Sequence, residues 1–440
     1  MNERPAPVRP VLIVGFVGVT LAAIGAFQPE GSVIYVEEPD VARKRGVREA
    51  LKDVAFVRDL IEWEYHLPGR ADAFYLAHPG LDPAAVVPAV EYATPFAARL
   101  AERYGLPGAG LGAALILRDK ALLRQVSAAA GVANPASTAV RSAAEVLAFV
   151  RQAPGPVVLK PANRQASVGT RVLHGPAEVE AAWADCLVQD EGVFVPDRPM
   201  ELSMLAEEFV DGDEYSVEML VRGGAPLFVN VTGKRLFPGP HPVELAHVVP
   251  ADVPAALAAS LGDETARVVT AVGFRDGVVH CEWIVSDGVP YLVECAGRLP
   301  GDAIVDLIEV AYPVELFRCY FAVLKGEEPP SALPPRAEGG AAVRFLAPGP
   351  GRVGEVRGVE QARRAEGVLM AQCSVPAGHR STGLRTSWDR VGIVMTHAKS
   401  PAEALRLAES AAGLVRIELR PDDDGAARDG NGSTAVEGEA

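Results

Sequence analysis

Cysteine is scarce and scattered. Cys186, Cys281, Cys295, Cys319 and Cys373 are odd in number and show no CxxC spacing, which excludes a disulfide framework and the usual zinc site. Reduced, buried thiols are the expectation. No P-loop sequence occurs, Gly15-x-x-Gly18 is not the dinucleotide fingerprint, and there is no internal repeat. Positive charge is in deficit, 42 Lys and Arg against 57 Asp and Glu for a net −15. That excludes a nucleic-acid partner, which needs a basic surface. The one long apolar run, Val11 to Phe27, is short for a membrane span and is interrupted by Gly15, Gly18 and Gly25. It reads instead as strand Val8–Val14, a turn and a short helix before strand Ser32–Val36, the start of a βαβ unit. No membrane and no export are expected, so the reading is cytoplasmic. What remains is an ordinary globular composition over 440 residues, too long for a single core.

The most informative stretch is HCEWIVSDGVPYLVECAGRLPGD, His280 to Asp302. It reads as two strands joined by a Gly-containing turn, each carrying one carboxylate, Glu282 and Glu294. A two-residue turn at Asp287-Gly288 would place them on opposite faces, whereas a three- or five-residue connection, or one bulge, sets them opposite each other. Pro290 cannot donate to a ladder and favours the longer connection. In that register His280, Glu282, Glu294, Ala296 and Arg298 share a face, with Cys281 and Cys295 on the other. Facing carboxylates repel unless a divalent cation lies between them. The alternative is an exposed hairpin with two solvated glutamates.

Upstream, the first hundred residues alternate strands and helices, with Ala71–Ala77 strand-like and Thr94–Tyr104 helical, as in an open parallel sheet. Asp119 opens an amphipathic helix ending at Gly131, with Lys120 in its first turn. In PVVLKPANRQASVGTRVL a buried strand delivers Lys160 into the small-residue loop Ala162–Gly169, a composition suited to close approach of an anion. A lysine inside VVLKP calls for an anionic partner. LAEEFVDGDEYSVEMLV places Glu207, Glu208, Val210 and Glu214 around the turn Asp211-Gly212-Asp213, either a charged hairpin tip or an edge that reads a nucleotide. NVTGKRLFPGPHPVELAHVVP offers Glu244 and His247, a pair suited to binding an amine or to acid–base work. Residues 326–340 form a Pro/Gly/acid linker. Ala341–Leu419 alternates strands with a helix at Pro401–Ala412, and the last twenty residues have the composition of disorder.

These motifs, RDK, LKP with its loop, EEFVDGDE and HCE…ECAGR, resemble in order and spacing the ATP-grasp superfamily of carboxylate–amine ligases, in particular its L-amino acid ligase (dipeptide synthetase) branch. The resemblance spans roughly residues 8 to 420. It implies a mixed α/β and α+β fold: an N-terminal open parallel α/β domain over 1–115, a two-lobed nucleotide-binding core over 116–330 with its lid at about 136–205, a small C-terminal α+β module over 331–420, and a tail over 421–440. It also implies ATP with magnesium, or manganese in its place, as cofactors. Lys120 and Lys160 would hold the phosphates, and the lid loop with Ser167, Val168 and Gly169 would cover them. Glu207, Glu208 and Val210 would meet the adenine and Glu214 the ribose. Glu282 and Glu294 would be metal ligands, Arg298 would serve the transferred phosphoryl group, and Glu244 and His247 would sit in the substrate pocket. The partners implied are small amino acid and amine substrates and a second copy of the chain. Ala296 departs from the pattern, standing where many such enzymes have a metal-binding Asn. Two other readings stay open: a carboxylase activating bicarbonate, and a non-catalytic nucleotide-binding protein.

Overall fold

The computed structural model describes residues 9–187, 191–239 and 241–420. Val8 and the 421–440 tail lie outside them. At the amino end, four parallel strands run side by side in the order Val57–Glu62, Val33–Glu37, Val11–Val14, Ala85–Pro88. Alternation divides the two central strands between two cores. Val11, Ile13, Val33 and Tyr35 pack on one face, and Leu12, Val14, Ile34 and Val36 on the other. Helix Thr94–Tyr104 forms as expected, with Pro95 in its first turn and Gly105 in the left-handed conformation just past its end. The strand expected over Ala71–Ala77 is a helix, Arg70–Ala77. Its aromatic pair Phe74-Tyr75 suggested β structure, but Phe74 is fully buried against Phe96 of the next helix, and that packing decides.

A second, antiparallel sheet of Ser137–Val140, Met204–Glu208, Val157–Pro161 and Arg171–Leu173 is covered by helices Ala143–Gln152 and Val179–Leu187. The third sheet has eight antiparallel strands in the order Val289–Ala296, Gly277–Ser286, Asp213–Arg222, Ala225–Leu236, Glu244–Val249, Gly340–Leu346, Gly392–Ala398, Val368–Cys373. Its Glu244–Val249 and Gly340–Leu346 strands pair directly, so the C-terminal strands extend this sheet. Strands Met204–Glu208 and Asp213–Arg222 belong to different sheets, and Asp211-Gly212 is therefore a crossing between lobes rather than a hairpin tip. A small sheet of Arg380–Ser381, Gly351–Arg357 and Arg416–Arg420 completes the chain. Among the described residues no helix is long and apolar enough to cross a membrane.

Candidate active site

The eight-stranded sheet sets out the site as rows of side chains. Glu282 pairs directly with Glu294, Cys281 with Cys295 and His280 with Ala296. The connection is not the longer one favoured by Pro290. It is the two-residue turn Asp287-Gly288, and a bulge opposite Glu282–Trp283 restores the register. Pro290 is accommodated because its strand lies at the sheet edge. On the next strands Glu218 and Asn230 continue the His280 row, and Ser216 and Thr232 continue the Glu282 row. Farther along the same strands Ile284 pairs with Glu214 and Lys234 with His247. The opposite face, with Val217, Met219, Cys281, Trp283 and Cys295, is core.

Electrostatics follow from this layout. Lys234 is nearly inaccessible, with its Nζ 2.5 Å from Glu282 and 3.4 Å from Glu244. Burial works against its charge, but Glu282, Glu244 and Glu214 together hold its pKa well above the usual lysine value. Burial likewise opposes the charge of Glu282, and Lys234 and His280 outweigh it, so that carboxyl stays well below its usual range. Glu214 goes the other way, pushed up to about 7 by burial and by repulsion from Glu282 and Glu244, against the attraction of Lys234. Behind them His280 bridges Glu218 at 2.9 Å and Glu282 at 3.3 Å, and its pKa rises to about 9 despite burial. Ser216, Asn230 and Thr232 donate to Glu218.

Two cavities meet at this wall. The smaller, about 170 Å³, is lined by Lys120, Lys160, Ser167, Val168, Glu207, Glu208, Val210 and Glu214, with Glu282 and Glu294 at its end. Asp119 caps the Lys120–Ala129 helix by accepting from Ala121 and Leu122. Lys120 reaches Glu294 at 2.7 Å and donates to the Arg164 carbonyl. The anionic partner of Lys160 is Glu207, 2.6 Å away, itself held by Arg124 at 2.7 Å. Burial lowers the pKa of Lys160 in spite of Glu207. Glu207 thus engages cations through its side chain, while its strand ends at Glu208 and the chain continues to Val210 in the cavity lining. The loop Ala162–Gly169 lies over this cavity, and Ser167 Oγ donates to the Pro242 carbonyl. Gly169 is at φ +70°, and a Cβ there would stand 3.0 Å from Pro161 and 3.2 Å from the Cys186 carbonyl, so only glycine fits.

The larger cavity, about 360 Å³, opens on the other side of Glu282 and Glu294 and takes in Lys234, Glu244, His247 and Arg298. Glu244 and His247 share a face because Leu245 is an extra, bulged residue, yet they do not touch. His247 Nε2 is 3.0 Å from Asp302, Asp302 is clamped by both terminal nitrogens of Arg390, and Glu244 accepts from Ser387 Oγ at 2.9 Å. Arg298 is fixed by Glu91 at 2.8 Å, and Arg118 holds the same carboxylate at 3.1 Å. Sequence reasoning missed Lys234, Glu91, Arg124, Asp302 and Arg390. Asp302 closes the His280–Asp302 stretch itself and Lys234 lies in the TGKR segment, a charge beside a strand, whereas Glu91, Arg124 and Arg390 come from distant parts of the chain.

The acidic pair fits a divalent cation in part. Glu282 and Glu294 offer hard oxygen donors in facing positions, each already neutralised by a lysine. Among the described residues no group of three or more His, Cys, Asp or Glu side chains is placed to hold a metal alone. The pair therefore suits an ion whose other ligands are phosphate oxygens and water.

Two lobes flank a cavity beside paired carboxylates. Residues 153–306 match the ATP-grasp domain and residues 344–420 the L-amino acid ligase C-terminal domain 2. Among curated relatives, an uncharacterized protein of Sinorhizobium fredii is 28% identical over 346 residues, covering 78% of this chain and 70% of that one. A D-alanine–D-alanine ligase of Bordetella petrii is 27% identical over 220 residues, covering 48% of this chain and 64% of the ligase. The crystal structure of an L-amino acid ligase from Bacillus licheniformis shares the fold, with a TM-score of 0.75 at 18% identity over 94% of this chain and 99% of that one.

Proposed function

We propose that the protein joins the carboxylate of an amino acid to an amine at the expense of ATP, through an acyl phosphate, releasing ADP and phosphate. The observation that carries this is the common wall of the two cavities. Glu282, Glu294, Lys234 and Glu244 line both, so a nucleotide tail in one abuts a substrate in the other. A carboxylate oxygen of the substrate attacks the γ-phosphorus in line as the bond to the ADP oxygen breaks. The amine nitrogen then attacks the acyl carbon, phosphate leaves, and the nitrogen loses its proton.

In this reading Lys120 and Lys160 bind the phosphates, Glu214 the ribose, and Glu207, Glu208 and Val210 the adenine. Magnesium held by Glu282 and Glu294 would neutralise phosphate charge. Arg298, oriented by Glu91, stabilises the transferred group and then the tetrahedral oxyanion. Glu244 and the His247–Asp302 pair hold the amine. The loop Ala162–Gly169 excludes water, which would otherwise hydrolyse the acyl phosphate. The bicarbonate alternative is not favoured, because the C-terminal match is to L-amino acid ligases.

Arg298→Ala should lower amino-acid-dependent ADP release by roughly 10²–10³-fold, and Glu294→Gln should reduce it strongly, both with unchanged circular dichroism. Phosphate release across a matrix of amino acid pairs, with mass analysis of products, makes the measurement. Wild-type turnover in both variants would remove this wall from the reaction.

A further inference from the structure

The larger cavity does not stop at the catalytic wall. It continues into the N-terminal domain, along Ile13, Phe16 and Val17 at the carboxyl end of one parallel strand and Val87 to Tyr92 at the carboxyl end of its neighbour. Those strands, Val11–Val14 and Ala85–Pro88, flank the point where strand order reverses in the sheet. The crevice at the carboxyl ends of parallel strands, at such a reversal, is where open α/β sheets bind ligands. Gly15 keeps this crevice narrow. It lies at φ +88°, and a Cβ there would come within 2.4 Å of Val90.

The far end of the cavity is apolar. Phe16, Val17, Ile24, Val41, Phe317 and Phe321 surround it. The polar groups there are already engaged. Glu37 accepts from the amides of Phe16 and Glu38 and from the Tyr65 hydroxyl, at 2.8, 2.8 and 2.9 Å. Arg45 donates to the Phe16 carbonyl and stacks on the rings of Phe16 and Phe194, and the Thr20 hydroxyl is bonded to the Val17 carbonyl. Glu37 and Arg45 compensate each other there, so a charged side chain entering this end would lose its hydration while meeting one charge of each sign. The charges that suit an amino acid's own ammonium and carboxylate, Asp302, Glu244, Arg298 and Arg390, all lie at the catalytic end.

Resting on the ligase reading, we infer that the crevice between Phe16–Val17 and Val87–Val90 is a side-chain subsite, and that one of the two joined amino acids carries a bulky apolar side chain, aromatic or branched. The discrimination comes from burial, where each lost methylene costs roughly tenfold or more in specificity.

The test has two arms on the full chain. In the first, phosphate release with L-phenylalanine plus L-alanine is compared with L-alanine alone, L-glutamate plus L-alanine and L-lysine plus L-alanine. Phenylalanine should exceed the other three by about tenfold or more in kcat/KM. Val17→Trp, which fills the crevice from a partly exposed loop position, should lower the phenylalanine-to-alanine ratio by a similar factor, and Phe317→Ala should lower it through lost contact. In the second, calorimetric titration of L-phenylalanine into the protein saturated with ADP should show binding that Val17→Trp weakens at least tenfold. Phenylalanine that binds and is excluded by Val17→Trp, with no pair turned over, would sink the ligase reading while keeping the subsite. Equal use of glutamate, lysine or alanine, an unchanged ratio in both variants, or no phenylalanine binding would overturn the subsite.

Discussion

At the scale of single residues, the site is a balance of buried charges, and Glu214 is its least comfortable member. With its pKa pushed up to about 7, the folded protein keeps a proton there that the unfolded chain releases near 4.5. The sign follows directly. A raised folded pKa gives stability that is full below about pH 4.5 and is lost as pH rises through about 7. Glu214→Gln removes that loss, so the ligand-free variant should gain in melting temperature over the wild type at pH 8 and show little gain at pH 4.5. Thermal denaturation of both proteins across that range is the measurement, and a difference independent of pH would contradict the assignment. Residues of this kind were only half legible in the sequence. Glu282 and Glu294 could be paired from alternation alone, subject to a register that the bulge then supplied. Lys234 could not, because its three carboxylate neighbours come from three strands, and no local pattern announces which strands adjoin.

At the scale of elements, the segment from Val195 to Arg198 ties the lid lobe to the N-terminal domain. Arg198 makes a forked pair with Glu38 at 2.7 and 2.8 Å, and Glu38 is fully buried. Lys44 and Arg43 hold Asp197 at 2.8 and 2.9 Å, and Lys44 also donates to the Val195 carbonyl. Just before it, Phe194 stacks on Trp388 of the short helical turn Ser387–Asp389 with centroids 4.2 Å apart, and both rings border the larger cavity. Arg198→Ala leaves the buried Glu38 carboxylate without its charged partner, which favours separation of the two lobes. The expected result is leakage: more phosphate released per amide formed, as water reaches the acyl phosphate. The ratio of phosphate to mass-identified product reads it, and an unchanged ratio would show that these ties do not govern closure. Elements were legible where local signals agreed. Thr94–Tyr104 and Pro401–Ala412 carry Pro at the start and a helical apolar period, and both end as expected. Over Ala71–Ala77 the strand-like expectation fails, because Phe74 packs against Phe96 of the next helix, a contact no local pattern shows.

At the scale of the whole molecule, the larger cavity is assembled from all parts of the chain, with Glu91 from the N-terminal domain, His247 and Arg298 from the core, and Arg390 from the segment before strand Gly392–Ala398. Motif order named most of the charged residues that line the smaller cavity, Arg124 and Lys234 excepted. The substrate side was not readable in that way, because its charges arrive from sequence positions some three hundred residues apart, Glu91 to Arg390. Arg390 shows what this assembly does. Its guanidinium holds Asp302, it lies over the Phe345 ring 3.9 Å from the centroid, and it stands 3.8 Å from Glu244. Burial opposes the charge of Asp302, but His247 and Arg390 together keep its carboxyl well below the usual range. Asp302 also sits at φ 57° beside Ala303 at φ 59°, a backbone arrangement that surrounding contacts must maintain. Removing the arginine would free Asp302 to turn and would release His247 from its orientation, while Lys120, Lys160, Glu207, Glu282 and Glu294 of the smaller cavity keep their partners. Arg390→Ala should therefore raise KM for the amino acids by about tenfold or more, as expected for a lost charged hydrogen bond worth roughly 1.5–3 kcal/mol. ADP affinity measured by titration should stay within about twofold, since no partner of Arg390 lines the far part of the nucleotide cavity. A parallel loss of both affinities would mean that the C-terminal strands support the whole core, and not the substrate side alone.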